Sequence, residues 1–261
     1  MNRLIPMIGA QWMALRKRRG LFWLSMALTV GGVVIMNGVV ALYHATNPAQ
    51  YGPAGGLDGF THAYTLFGIT GALAAILIGA TAGAQDVESG VFRSLVSTGQ
   101  SRAKLALVRI PGGLLMLLPM LLGAYAVEVA ASFMFAGGTP TPDATTILVG
   151  LGWVTAIGVL DFTVALGIAA LTRTRGVAIG LLLAWEVAGS RVIERFTAFG
   201  NWRGLISTVA TDRLLPHASD TIQLTRVDSI SLPLAMALAV VAAWIVAGTA
   251  VGVWRTVTQD A

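Results

Sequence analysis

The chain lacks cysteine and is poor in charge. Only 11% of its 261 residues are charged, whereas 56% are hydrophobic; a soluble domain carries about 25% charged residues. Without cysteine there is no disulfide framework, no Cys-based metal site and no thiol nucleophile. The composition is therefore that of an integral membrane protein.

Lysine is also scarce, and the sequence around each lysine excludes one class of site. Lys17 follows Arg16 and Lys104 follows Ala103. A P-loop needs Gly-Lys-Ser/Thr after a glycine-rich turn, so we expect no nucleotide site in this chain. We also expect it to hold no cofactor and no metal. The net charge of +5 does not indicate nucleic acid, because the basic residues are confined to particular loops.

Membrane-enzyme motifs are missing as well. The chain has no His-Glu-x-x-His, and Asp58-Gly59 is not followed by the acidic array of phosphatidyl transferases. The three histidines, His44, His62 and His217, fall in or beside predicted outer segments rather than within a span. An intramembrane enzyme is thus the least favoured interpretation.

Apolar runs of about 20 residues, enough to cross a bilayer, recur six times. We predict an all-α protein with one transmembrane domain over residues 1–261. Its spans are 21–43, 63–85, 106–136, 145–171, 176–196 and 232–254. The fifth is interrupted by charges in its second half.

Basic residues predict the orientation of these spans. With both termini inside, twelve of the 17 Lys and Arg lie in inner segments, and the first two outer loops hold none. Before span 1, Leu4, Ile8, Trp12 and Leu15 recur at helical spacing. We expect residues 1–20 to form an amphipathic elbow helix in the inner interface, the alternative being a disordered basic anchor. A retained first span is favoured over a cleaved signal peptide, because the apolar run is too long.

A charged block interrupts the apolar sequence between spans 2 and 3. Val87, Val91, Phe92 and Leu95 share one helical face of residues 87–98, and polar side chains occupy the other. Gly99 is a plausible C-terminal stop, and Ser101 is a plausible N-cap for span 3. Spacing alone fits a short interfacial helix as well as it fits a solvated loop that holds topology.

Residues 85–109 resemble the corresponding segment of the type-2 ATP-binding-cassette (ABC) permeases. The likeness lies in Glu88, Gly90 and Leu95, then in the Ser101-Arg102 turn and the basic Arg109. The elbow, the six spans and the long last outer segment match that family in layout. Gly99 stands where members often have Pro, and Arg109 where many have Lys.

The resemblance implies that residues 87–98 are a coupling helix that docks in a groove of a separate ATPase subunit. The residues implied in this contact are Glu88, Val91, Phe92, Arg93, Leu95 and Arg102. ATP and Mg would be bound by that partner, and a second permease subunit, identical or homologous, would complete the transporter. Spans 1 and 5 would meet across the dimer, with substrate moving near spans 1, 2 and 5.

Four charges lie at membrane depth, where each costs about 2.5–3.5 kcal/mol. Asp161 and Glu186 are each about 16–18 Å from the inner surface, near the bilayer middle. We expect a buried network of Glu128, Asp161 and Glu186 with Arg191. Its role is structural pairing, a polar patch on the path of a cationic or amphiphilic substrate, or a proton relay in a secondary transporter.

Two further patterns concern packing and the outer surface. Gly79 with Gly83, and Gly248 with Gly252, are spaced to allow close helix approach, which we expect within the chain rather than at a dimer seam. Residues 196–231 are too polar to span, yet carry Leu and Ile at helical spacing around 205–215. We expect short interfacial helices there, capping the outer mouth, rather than a disordered loop.

Together these features lead to one functional expectation and one rival. The chain is expected to be the permease subunit of an ATP-driven exporter in a bacterial inner membrane, in contact with lipid. Its substrate would be an amphiphilic drug, peptide antibiotic or lipid. The rival is a proton-coupled secondary transporter that uses Asp161 and Glu186.

The absence of cysteine makes the orientation directly testable. We expect Gln100→Cys to react with a membrane-impermeant maleimide only after the inner face is exposed, and Gln50→Cys to react in intact cells. Labelling is read by mass shift, and the unmodified chain is the blank. The opposite pattern at the two positions would contradict termini on the inside.

Overall fold

Among the residues that the structure describes, six helices are long and apolar enough to cross a membrane. In this computed structural model residues 4–97, 99–216, 221–223 and 229–258 are described. The six helices, called spans 1 to 6, are Arg19–Thr46, Gly56–Glu88, Arg102–Met134, Ala144–Thr172, Arg175–Arg195 and Leu234–Thr258. The prediction of an all-α architecture with six such helices is confirmed, including the charge-interrupted fifth.

Three of these helices contain a π-helical turn. The turns are Ala27–Gly31 in span 1, Phe67–Gly71 in span 2 and Trp185–Gly189 in span 5. The turns of spans 1 and 2 pack against each other. A π turn widens the helix locally and is frequent at functional sites, so these three spans differ from the other three in backbone geometry.

Short elements connect and flank the spans. The N-terminal helix is Leu4–Arg16, and the loop helix between spans 2 and 3 is Val91–Ser97. After span 5 come a 3-10 helix, Thr197–Leu205, and the cap helix, Ser207–Arg213. Two strands then pair antiparallel, β1 Thr221–Gln223 with β2 Ser229–Ser231, so that Ile222 lies opposite Ile230.

The described part of residues 196–231 therefore contains helices, as expected. The helices around 205–215 are present, whereas the strand pair was not predicted. His217 and residues 218–220 and 224–228 of this segment lie outside the described residues.

The N-terminal helix packs on the first half of span 3. Leu15 is fully buried. Gly112 of span 3 leaves room for the Gln11 side chain, because a Cβ on Gly112 would lie 2.7 Å from the Gln11 Cγ. The Arg16 guanidinium lies 5.2 Å from the Trp12 ring centroid, over its face. The predicted helix before span 1 is present from Leu4, and residues 1–3 lie outside the described part.

Span 4 is central, because it packs closely against both span 2 and span 6. Gly79 of span 2 lies against the Phe162 carbonyl, and a Cβ on Gly83 would come within 2.5 Å of the Leu166 carbonyl. On the opposite side, a Cβ on Gly248 of span 6 would lie 2.7 Å from the Thr163 carbonyl. The glycine pairs therefore serve contacts within the chain, as expected.

We predict that Gly79→Ala destabilises the protein by about 1–3 kcal/mol, because a methyl group would overlap the span 4 backbone. The matched control is Gly123→Ala in span 3, where a Cβ meets nothing within 4 Å. That change should be neutral or stabilising by up to about 1 kcal/mol. Thermal unfolding in detergent measures both, and equal midpoints would contradict the packing.

Candidate functional site

The loop helix is set off from span 2 by a glycine turn. Span 2 continues to Glu88, and the chain then turns at Gly90, which has a left-handed φ of +70°. The helix predicted over 87–98 is therefore shorter, because Val87 and Glu88 belong to span 2, and Thr98 lies outside the described residues. Gly99 follows with φ +80°, and the Ser101 hydroxyl accepts a hydrogen bond from the Lys104 amide at 3.3 Å. The predicted stop and N-cap are confirmed.

The turn at Gly90 changes which side chains the loop helix presents. Phe92 is only 3% exposed and packs inside this chain, whereas Val91 is 44% exposed. Leu95 is half-buried. The prediction that Val91, Phe92 and Leu95 form one outward apolar face is thus wrong for Phe92, because the helix does not continue the periodicity of span 2. The exposed surface consists of Val91, Arg93, Ser94 and Ser97.

Glu88 contacts span 5 of its own chain. Its Oε1 accepts a hydrogen bond from the Arg175 backbone amide at 2.6 Å, and its Oε2 lies 3.4 Å from Arg175 Nε. The N-cap residue of span 5, Thr174, makes no side-chain cap bond, so Glu88 caps the span in its place. Arg102 likewise reaches its own chain, donating to the Val257 carbonyl of span 6 at 3.5 Å.

A buried ion pair ties the same ends of spans 2, 3 and 6 together. Arg109 Nη2 lies 2.8 Å from Asp86 Oδ2, and the two side chains are 3% and 17% exposed. Arg109 Nη1 also donates to the Gly83 carbonyl and to Thr256 Oγ1, at 3.4 and 3.3 Å. Together with the Glu88 contact, these bonds place the loop helix, the start of span 5 and the end of span 6 at one end of the molecule.

The predicted intramembrane network divides into two separate sites. Glu128 Oε2 accepts a hydrogen bond from Asn37 Nδ2 of span 1 at 2.7 Å. Asp161 instead lines a cavity with Glu186, on the side of span 4 that faces spans 5 and 6. Glu128 therefore belongs to a contact between spans 1 and 3, and the single four-residue network is wrong in that respect. Spacing gave depth for each acid but not the direction of its side chain.

The cavity is small and largely enclosed. Its volume is about 20 Å³, and it is lined by side chains of spans 2, 4, 5 and 6 and by Ser207 at the start of the cap helix. Asp161 is 6% exposed, and its Oδ2 has no hydrogen-bond partner among the described residues. The residues that line the cavity are Ile76, Leu160, Asp161, Val164, Leu182, Trp185, Glu186, Ser207 and Trp244.

Arg191 pairs with acids that the sequence reasoning missed. Its Nη1 lies 3.1 Å from Glu194 Oε2 and 3.8 Å from Asp212 Oδ2. Glu194 is itself buried, and the Thr208 hydroxyl donates to its Oε1. Because Glu194 follows Arg191 by three residues, the pair could have been found from helical spacing.

Further hydrogen bonds fix the cap helix over this end of the bundle. Arg203 Nη1 donates to the Glu194 carbonyl at 2.9 Å. Trp153 Nε1 of span 4 donates to the Thr211 carbonyl at 2.8 Å. The 3-10 helix is thus bonded to the end of span 5 through Arg203, and the cap helix is bonded to span 5 through Thr208 and to span 4 through Thr211. Ser207 of the cap helix borders the cavity from that side.

Comparison with known proteins adds no family. No protein-family model matches the chain, and no curated protein is significantly similar to it. The site is therefore interpreted from its own residues and from the likeness of residues 85–109.

We predict a pH effect from Asp212 in the cap helix. Burial raises the pKa of Asp212 from 3.8 to about 6, with Arg191 opposing the change and Glu194 adding to it. The pKa of Asp212 is higher in the folded state than in the unfolded state. Its contribution to the free energy of unfolding is therefore fully present below about pH 4 and is lost as the pH rises through 6. Asp212→Asn should flatten this part of the profile.

Thermal unfolding of both proteins between pH 4 and 8 measures the difference. The two profiles should diverge between about pH 4 and 6 and run parallel above 7. Identical slopes between pH 4 and 6 would contradict the assignment to Asp212.

Proposed function

We propose that the protein is the permease subunit of an ATP-driven exporter, energised by a separate ATPase that docks on the loop helix. The observation that carries the proposal is the loop helix itself. It is a short helix bounded by Gly90 and Gly99, exposed at Val91 and Arg93, in the segment that resembles the type-2 ABC permeases. Short amphipathic helices are well suited to docking in a groove of a partner.

The internal contacts of the segment support transmission of force. Glu88 lies between the loop helix and the first turn of span 5, to which it is bonded twice. A displacement of the loop helix would therefore act on span 5 through Glu88. In this proposal Glu88 and Arg102 position elements of the permease, and the partner contacts Val91, Arg93 and the serines.

The distribution of π turns supports a path along the same helices. The turns lie in spans 1, 2 and 5, the spans along which the family resemblance implies that substrate moves. Acidic groups and two tryptophans near the turn of span 5 suit a cationic or amphiphilic substrate. We propose that both termini and the loop helix are cytoplasmic, in a bacterial inner membrane, and that a second permease subunit completes the transporter.

A proton-coupled secondary transporter is the second candidate. The observation that favours it is the cavity between Asp161 and Glu186, because acids buried at membrane depth mark proton and ion pathways. This candidate leaves the exposed surface of the loop helix without a role.

Photo-crosslinking tests the docking surface. A photoreactive amino acid at Ser94 should form an adduct with a polypeptide that contains a P-loop when native membranes are illuminated. The same group at Gln50, in the loop that follows span 1 and on the opposite side of the membrane in this proposal, should form no such adduct. No adduct with a P-loop protein at Ser94, or an equal adduct at both positions, would contradict the proposal.

Substitution gives the matching functional result. Val91→Asp combined with Arg93→Glu should reduce ATPase binding at least about tenfold, a loss of about 1.4 kcal/mol, because both changes add negative charge to the proposed docking surface. The chain should still insert. Lys17→Glu is the control for a reversed basic charge outside the loop helix. The amount of ATPase retained on the purified permease is the readout, and equal retention in all three proteins would count against docking at this surface.

A further inference from the structure

The cavity between spans 4, 5 and 6 holds an acidic side chain that its surroundings do not satisfy. Asp161 lines this cavity and is more than nine-tenths buried, and its Oδ2 has no hydrogen-bond partner among the described residues. Glu186 lines the same cavity from span 5. Two neighbouring carboxylates at membrane depth would repel each other and carry a large desolvation cost.

Arg191 acts electrostatically on Glu186, whereas the described charge that acts on Asp161 is the acidic Glu186. Span 2 contributes Ile76 to the cavity and span 6 contributes Trp244, neither of which ionises as a cation. Arg191 forms its ion pairs with Glu194 and Asp212. Asp161 is therefore left beside a second acid, with a side-chain oxygen that no described residue satisfies.

The size and lining of the cavity limit what that charge can be. A volume of about 20 Å³ is enough for one water-sized occupant. The Ser207 hydroxyl offers a further oxygen, and the rings of Trp185 and Trp244 border the cavity, where a cation would also be attracted by the aromatic faces. The cavity lining provides two carboxylates, and the described residues contain no group of three metal-binding side chains. A site with only two carboxylates suits a singly charged cation better than a doubly charged one.

We propose that this cavity is a binding site for one water-sized monovalent cation, either Na⁺ or a hydronium ion. A hydronium ion between two carboxylates is equivalent to one protonated carboxyl group and a water molecule. The occupant would join span 4 to span 5 beside the π turn Trp185–Gly189, which contains Glu186. This inference does not depend on ATP-driven export, because a bound cation could serve either transport mechanism.

Labelling with dicyclohexylcarbodiimide tests the site in the intact chain. The reagent adds as a whole to a protonated carboxyl group, whose proton moves to nitrogen, so the product has the summed mass of both. A peptide adduct at Asp161 or Glu186 that NaCl does not suppress identifies the proton form. An adduct that NaCl suppresses at least about tenfold, a difference of about 1.4 kcal/mol, while choline chloride does not, identifies Na⁺.

Thermal unfolding provides a second measurement that needs neither the reagent nor an ATPase. If Na⁺ is the occupant, NaCl should raise the unfolding temperature relative to choline chloride, and Asp161→Asn should remove the shift. Gly123→Ala in span 3, where a Cβ meets nothing within 4 Å, is the control variant and should keep it. Absence of an adduct at both acids, together with no Na⁺-specific shift, would overturn the proposal. The proposal would also be overturned if the total amount of reagent bound to the protein stayed unchanged when both acids are replaced by amides.

Discussion

The ion pair between Asp86 and Arg109 is the interaction on which the arrangement of the loop-helix end depends. Arg109 of span 3 is buried where spans 2, 3 and 6 meet, and its side chain bonds to spans 2 and 6. Removing one partner of such a pair costs about 3–5 kcal/mol, because the other charge is left buried alone. Two residues after Asp86, Glu88 extends the same connection to span 5. The loop helix therefore leaves the bundle from a point at which four spans are held together.

This geometry connects the proposed docking surface with the interior of the protein. Span 5 starts at the residue that Glu88 contacts and continues to the π turn with Glu186. Glu194 in its last turn is bonded to the cap helix. In the proposed mechanism, movement of the loop helix would be transmitted along span 5 to the acidic cavity and its cover. Close glycine contacts hold span 4 against spans 2 and 6, whereas a Cβ on Gly176 or Gly180 of span 5 would meet nothing within 4 Å.

Much of this architecture could be predicted from sequence because its signals are local. Long apolar runs predicted the six helices, and Gly99 and Ser101 predicted the end of one helix and the start of the next. The break at Gly90 was missed because apolar spacing continued through it, although glycine readily adopts the positive φ that the turn requires. As a result Phe92 was expected outside but lies inside.

The interior polar contacts needed tertiary information. Helical rise placed Glu128 and Asp161 at membrane depth, but which neighbour each faces depends on how the spans are rotated and paired. Asn37, the partner of Glu128, lies 91 residues away in sequence and carries no local signal. Asp86 and Arg109 were more accessible to prediction, because they lie on consecutive spans near the same connecting loop and have opposite charge.

The central claim is that the chain works with a separate ATPase, and native mass spectrometry of the assembly purified from its own membrane tests it most directly. We expect two permease chains, identical or homologous, in complex with two P-loop ATPase subunits. A permease that appears without any P-loop polypeptide, and that still transports when reconstituted alone, would contradict the account.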